Sequence, residues 1–249
     1  MTIDTIRDQL KHLRLSHAAR ELEEVLTKRK SKGDIAWLSE LLESELDGRK
    51  ANAIENRIRR ADFPERRSLD QFNWDFNKRV PRERIEELAT LKFIEENEIA
   101  LFLGKPGTGK THCAIAIGMM AAQAGHTVFC SSVIRLATKI RKAQERGSLD
   151  ILFKQILTSK LWLLDGWGVV SMPRDVSEEV FDLLDRRKHN SAMILTSNRD
   201  VEEWPQVFSD PVLASAAIDR MFENAHICIY DGESYRMKGR IKFAEVDND

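Results

Sequence analysis

The sequence predicts an α/β fold: a core on a parallel five-stranded sheet, preceded by a small all-α domain. Three observations carry that prediction. From Arg82 onward, apolar strand-like runs alternate with helical stretches, the pattern of a parallel sheet with crossover helices. The residues Gly104-Lys105-Pro106-Gly107-Thr108-Gly109-Lys110-Thr111 fit GxxxxGK[ST] without a gap and follow the apolar run Ile99 to Leu103 directly. Residues 1 to about 60 show helical periodicity and no strand signal.

In the first 60 residues, Ile3, Ile6, Leu10 and Leu13 form one apolar stripe, and Trp37, Leu38, Leu41 and Leu42 form another after the Gly33-Asp34 break. Gly48 is expected to interrupt a later helix, because glycine is a weak helix former. The run Lys28-Arg29-Lys30 reads as a helix C-terminus, where cations offset the dipole. From 61 to 81 the character changes to irregularly spaced aromatics, Phe63, Phe72, Trp74 and Phe76, closed by Pro81. That composition describes a connector that packs. The third segment, 82 to 249, holds strands expected at Ala100 to Leu103, Thr127 to Ser131, Leu161 to Asp165, Ala192 to Thr196 and Ala225 to Tyr230.

Composition bounds the function. The chain has 249 residues, 42% of them apolar, and a formal charge of −1, so a polyanion partner would have to be met by local clusters of charge. Cys113, Cys130 and Cys228 are widely spaced, a pattern of buried thiols in a reducing cytoplasm and not of zinc binding or disulfides. No basic start with an apolar stretch and no run of about 18 apolar residues is present, so export and membrane insertion are not expected.

The phosphate loop defines the expected chemistry. Its glycines let backbone N–H groups turn around an anion, Lys110 adds a point charge at the outer phosphates, and the Thr111 hydroxyl can ligate Mg²⁺. The Ala-, Ile- and Met-rich stretch from Ala114 to Ala124 starts a helix there, and its dipole adds to the anion site. ATP and Mg²⁺ are therefore the expected ligands. Asp165, delivered by the strand Leu161 to Leu164 to the carboxyl edge of the sheet, is the second metal candidate. A glutamate usually follows to deprotonate the attacking water, but residue 166 is glycine, which has no side chain for that task. Nothing in the spacing brings Glu178 or Glu179 to the γ-phosphate. Asn198, ending the fourth strand, is a candidate to position water or touch the γ-phosphate, against the alternative of an ordinary turn residue. Arg220 is a candidate to reach into a neighbouring subunit's phosphate site, and Arg236 a candidate phosphate sensor that Glu233 would otherwise hold in a structural turn.

The order of these features resembles the IstB family, the AAA+ helper ATPases of bipartite insertion-sequence transposition, and more distantly the DnaC-type helicase loaders. The likeness rests on a helical N-terminal module, Phe63-Pro64 with its aromatic connector, the P-loop with Thr111-His112, Thr196-Ser197-Asn198-Arg199, Asp219-Arg220 and Gly232-Glu233-Ser234-Tyr235-Arg236. It implies an AAA+ core without a helical lid, about twenty residues remaining after the last strand. It implies Lys110 and Thr111 as the Walker A pair within a nucleotide site from Gly104 to His112, Asp165 as the Walker B aspartate, Asn198 as first sensor, Arg220 as finger in trans and Arg236 as second sensor. The implied partners are double-stranded DNA, further copies of the chain and a transposase, in the cytoplasm and on the nucleoid when DNA-bound. Two departures stand out: family members usually carry Asp-Glu at Asp165-Gly166, and Lys105 replaces the usual proline. Phosphate contacts are expected from Arg49, Lys50, Arg57, Arg59 and Arg60, continued by Arg66 and Arg67, and from Lys139, Arg141 and Lys142, with solvated helix faces as the alternative. A replicative helicase loader, or a nucleotide-gated DNA scaffold that does not hydrolyse, remains a competing function.

Overall fold

A computed structural model describes residues 3–28, 36–187 and 190–238. The chain divides into two compact units, Met1–Asn56 and Arg57–Asp249.

The first unit is helical: α1 (Ile3–His12), α2 (Ser16–Thr27) and the N-terminal part of α3 (Ala36–Ala61). Leu10, Ala18, Ala19, Leu22, Val25 and Leu41 form its core, with Ile6, Leu15 and Leu26 against them. Ile3 and Leu13, at the ends of the expected first stripe, are exposed: Ile3 is the first residue of α1, and Leu13 lies just past its end at His12. The side chains of Trp37 and Leu38, and residues Arg29 and Lys30 of the basic run, lie outside the described residues. Gly48 does not interrupt α3, contrary to expectation. A Cβ there would fall 2.5 Å from His17 Cγ, so the missing side chain makes room for α2, and packing overrides the roughly 1 kcal/mol propensity penalty. One turn earlier, the buried Glu45 accepts a hydrogen bond from Ala18 N at 2.8 Å, satisfying a donor that the start of α2 leaves open.

The second unit begins at the end of α3 and runs through the connector, whose only helical turn is Leu69–Gln71. Then follow α4 (Arg82–Ala89), α5 (Lys92–Glu95), β1 (Ile99–Gly104), α6 (Lys110–Gln123), β2 (Val128–Ser132), α7 (Val133–Glu145), α8 (Leu149–Leu157), β3 (Leu161–Trp167), α9 (Arg174–Arg187), β4 (Ala192–Ser197), α10 (Pro211–Phe222) and β5 (Ala225–Tyr230). All strand pairs are parallel, in the order β2-β3-β4-β1-β5. The expected five strands are therefore present. The central strands are apolar on both faces because helices cover both. One face holds a core that includes Leu101, Trp162, Leu164, Trp167, Leu195 and Trp204.

Against the other face lies α6, buried nearly all round, its small residues admitting close neighbours. The end of α3 and the connector run along it towards the P-loop: Arg57 Nε of α3 donates to Ala122 O at 2.9 Å, the Phe63 ring sits over Gly118, and Arg67 N meets Met119 Sδ at 3.2 Å. The start of α10 is fixed by Asp210, which accepts from Val212 N and Leu213 N with Pro211 in the first turn. The expectation of a lidless ending concerns the chain beyond 238, outside the described residues.

Candidate functional site

The carboxyl ends of β1, β3, β4 and β5 converge, as ligand sites do in open α/β sheets. From β1 the chain enters a loop whose Gly104, Gly107 and Gly109 have φ of 133°, 78° and 105°. These left-handed values require glycine, and a Cβ on Gly109 would lie 2.3 Å from Phe72 Cε2. Thr108 Oγ1 donates to Lys105 O at 2.8 Å, tightening the loop from within. At the first turn of α6, Lys110 is only 5% exposed, and its Nζ donates to Gly104 O and Lys105 O, both at 2.6 Å. Burial pulls its ammonium down to about 8, against the attraction of Asp165, and Arg236 lowers it further.

Asp165 is the hub of the site. Its Oδ1 accepts from Thr111 Oγ1 and from Thr196 Oγ1, each at 2.7 Å, and Thr196 Oγ1 in turn accepts from Gly166 N at 3.0 Å. One carboxylate thus ties α6, β3 and β4 together. The register between β3 and β4 slips after Leu164, resuming at Trp167, so Asp165 and Gly166 sit in a bulge. Gly166 has φ 78°, which its sequence position alone did not reveal. A β-carbon there would point to Val169 Cγ2 at 3.4 Å, and any non-glycine residue would add roughly 1–2 kcal/mol of backbone strain. Glu178 pairs with Arg174, Glu179 accepts from Gln144, and neither lines the cavity in front of the P-loop.

That cavity, about 420 Å³, is of the size that small-molecule ligands occupy. Its walls include Gly107, Thr108, Gly109, Lys110, Thr111 and His112, together with Asn198 and Arg236. Lys105 borders the loop from outside: its Nζ meets Asp231 Oδ1 at 2.9 Å, and Arg79 meets Oδ2 at 3.0 Å. Held by Lys105, by the Gly232 amide and by Arg79, the Asp231 carboxyl drops to about 2.

Sequence reasoning missed the connector's share of the cavity. Glu65, Arg67, Gln71, Phe72, Asn73, Phe76 and Asn77 line it, facing Tyr235 from the segment after β5. Phe72 packs on Trp74 at 4.6 Å and edgewise on His112 at 5.4 Å, while Phe76 meets Tyr235 edgewise at 4.9 Å. His112 Nε2 lies 2.8 Å from Ser68 O, and Tyr235 N donates to Gly107 O at 2.9 Å. The irregular aromatic spacing of 61 to 81 is the one signal of this in the sequence, and it does not distinguish packing on a core from packing beside a ligand.

Arg220 stands apart from the cavity, its Nε 3.0 Å from Asp185 and its Nη1 3.3 Å from Asp219. Several residues expected at DNA have partners within the fold. Arg49 holds Glu45 and Arg14 O, each at 2.8 Å, Lys50 pairs with Asp47, and Arg57 is taken by Ala122 O. Lys139 lies 3.3 Å from Asp62 and over the Phe129 ring. Arg59, Arg60, Arg66, Arg141 and Lys142 are solvent-exposed, Arg59 and Arg66 while also engaged within the fold. All three cysteines are buried, as expected, with thiols pushed up to about 12, 12 and 11 for Cys113, Cys130 and Cys228. Among the described residues no helix is long and apolar enough to cross a membrane, and no three His, Cys, Asp or Glu residues gather to hold a metal.

Comparison with known proteins adds three findings. The family model for IstB-like ATP binding proteins matches residues 8–243. An insertion sequence IS21 ATP-binding protein of Pseudomonas aeruginosa is 34% identical over 94% of this chain and 89% of its own length, and an insertion sequence IS5376 ATP-binding protein of Geobacillus stearothermophilus is 34% identical over 81% and 80%. Among solved structures, AMPPCP-bound DnaA from Aquifex aeolicus is similar with a TM-score of 0.56 and 22% identity over 71% of this chain and 53% of that one. A DnaC helicase loader is similar with 0.55 and 18% over 66% and 96%. At these identities the two structures speak for a shared AAA+ fold alone.

Proposed function

Because the chain belongs to the family of IstB-like ATP-binding proteins, we propose that it is an ATP-dependent, DNA-binding helper of transposition that assembles as a homo-oligomer on duplex DNA, deforms it and recruits a partner transposase. The observation that supports this most is the meeting of Lys110, Thr111 and Asp165 at one sheet edge, beside a glycine in the bulge of β3.

The residues fit a magnesium nucleotide. Lys110 is buried against backbone carbonyls at the N-terminus of α6, where positive charge gathers for an anion. Thr111 Oγ1 and Asp165 Oδ1 are hard oxygen donors 2.7 Å apart, suited to Mg²⁺, which takes few protein ligands beside phosphate oxygens and water. Bound MgATP supplies the γ-phosphate whose presence is the signal. Lys110 holds the outer phosphates, Asn198 orients water, and Arg236 senses the phosphate chain. Arg220 of one subunit completes the site of the next; its present partners Asp185 and Asp219 are solvent-exposed carboxylates, and such surface pairs contribute little, so they exchange readily.

Turnover is the weak step in this scheme. A general base typically contributes ~10²- to 10⁴-fold, and Gly166 offers neither a carboxylate nor a backbone that accepts one without strain. ATP is therefore held as an assembly signal more than consumed as fuel. The same observation favours a second reading, a nucleotide-gated scaffold that never hydrolyses. In either case residues 1–60 serve DNA, partner binding and oligomerisation, 61–81 form the connector, and 82–249 form the ATPase domain. Arg59, Arg60, Arg141 and Lys142 contribute salt-dependent phosphate contacts with little sequence preference. The setting is the cytoplasm, on the nucleoid when DNA-bound.

The discriminating experiment immobilises the chain with ATP and offers it the transposase of an insertion sequence or a replicative helicase. Retention of the transposase is expected. Retention of the helicase alone would assign the chain to helicase loading instead.

A further inference from the structure

We propose that Arg67 of the connector binds the nucleotide in cis, exchanging Glu65 for a phosphate or ribose oxygen at the end of the ligand that ATP and ADP share. The proposal rests on the nucleotide reading of the cavity and adds a residue to it.

Four observations carry it. Arg67 lines the same cavity as Lys110 and Arg236, whereas its exposed neighbour Arg66 does not. Its Nε is buried without a hydrogen-bond partner among the described residues, and a buried donor left open is costly unless something fills it. Its Nη2 meets Glu65 Oε2 at 2.5 Å, but the Glu65 side chain is 45% exposed, and pairs of that kind contribute little. Its backbone is pinned to α6, through Arg67 N to Met119 Sδ and through the neighbouring Ser68 O to His112 Nε2, so the reach of the side chain is set beside the first turn of that helix.

Charge and shape agree with this assignment. Among the described residues that line the cavity, Lys110, Arg67 and Arg236 are three cations against the carboxylate of Glu65, with Asp165 behind Thr111 as the second acid near Lys110. The planar guanidinium presents a fork that matches a phosphate, and a single ion pair with Glu65 leaves Nε available for it. The position follows from elimination along the ligand. The loop amides and Lys110 serve the outer phosphates, whereas Arg67 enters from the side of His112 and the connector aromatics. Glu65 then acts as the competitor that holds Arg67 until a nucleotide takes it.

The test measures dissociation constants for MgATP and MgADP on the full chain, on Arg67→Ala, Arg67→Lys and Glu65→Gln, with melting curves to establish that each variant is folded. Arg67→Ala should weaken ATP and ADP equally, by about tenfold, as loss of a charge-assisted contact does. Lysine should restore only part of this, lacking the fork. Glu65→Gln should bind both nucleotides more tightly. Opposite signs for the two members of one ion pair are the signature, because a merely structural pair would weaken binding from either side. Arg67→Ala binding like the unaltered chain, or Glu65→Gln weakening in step with Arg67→Ala, would overturn the assignment while leaving the nucleotide site standing. Failure of the unaltered chain to bind either nucleotide would overturn both.

Discussion

Replacing Lys110 by alanine is expected to lower ATP affinity by about 100-fold or more, read by calorimetry on the purified chain. A charge-assisted hydrogen bond contributes about 1.5–3 kcal/mol, and about 2.7 kcal/mol corresponds to two decades in affinity. The upper part of that range applies because Lys110 is buried and its solvation has already been given up in the fold. Two backbone carbonyls, Gly104 O and Lys105 O, hold the ammonium in place without neutralising it, so the charge remains available to an anion. The pH dependence has a definite sign. With the ammonium at about 8, the charged form dominates below that pH, and affinity should fall by up to about tenfold per pH unit above it. The alanine variant should lack this slope, which separates loss of the charge from general damage to the loop.

Asp165→Asn is the second large effect. Asparagine keeps an oxygen able to accept from Thr111 and Thr196, so the junction of α6, β3 and β4 should survive and the fold with it. The negative charge does not survive. Magnesium-dependent ATP binding should weaken by roughly 10- to 100-fold, and residual hydrolysis should fall below detection, since Mg²⁺ requires a hard anionic oxygen here. Binding of ATP without Mg²⁺ should change much less. Asp165 also supports the charged form of Lys110, so its loss should shift the fall in affinity to lower pH. Titrations with and without Mg²⁺, at two pH values, read all three consequences from one variant.

The parts legible in the sequence are those that local chemistry encodes. The strand Ile99 to Gly104 and the glycine spacing after it identify the P-loop because backbone sterics demand glycine there, and Leu161 to Leu164 deliver Asp165 because a fully buried parallel strand needs an unbroken apolar run. What was not legible depends on residues distant along the chain. Phe72 lying over Gly109, Arg67 entering the cavity and Tyr235 binding Gly107 all join segments far apart in sequence, and an aromatic connector looks the same whether it covers a core or a ligand. Gly48 shows the converse: helix propensity argued for a break, and the close approach of His17 decided otherwise. Gly166 was visible as a missing carboxylate, but only its left-handed backbone and the slip between β3 and β4 reveal a bulge shaped around glycine.

A nucleotide switch on DNA is tested most directly by duplex-DNA binding of the full chain in ATP, in ADP and without nucleotide, at one fixed salt concentration. Tight, cooperative binding in ATP and at least tenfold weaker binding in the other two conditions is the expected result. Equal binding in all three would contradict it, because a ligand that does not distinguish the two states shifts no equilibrium between them.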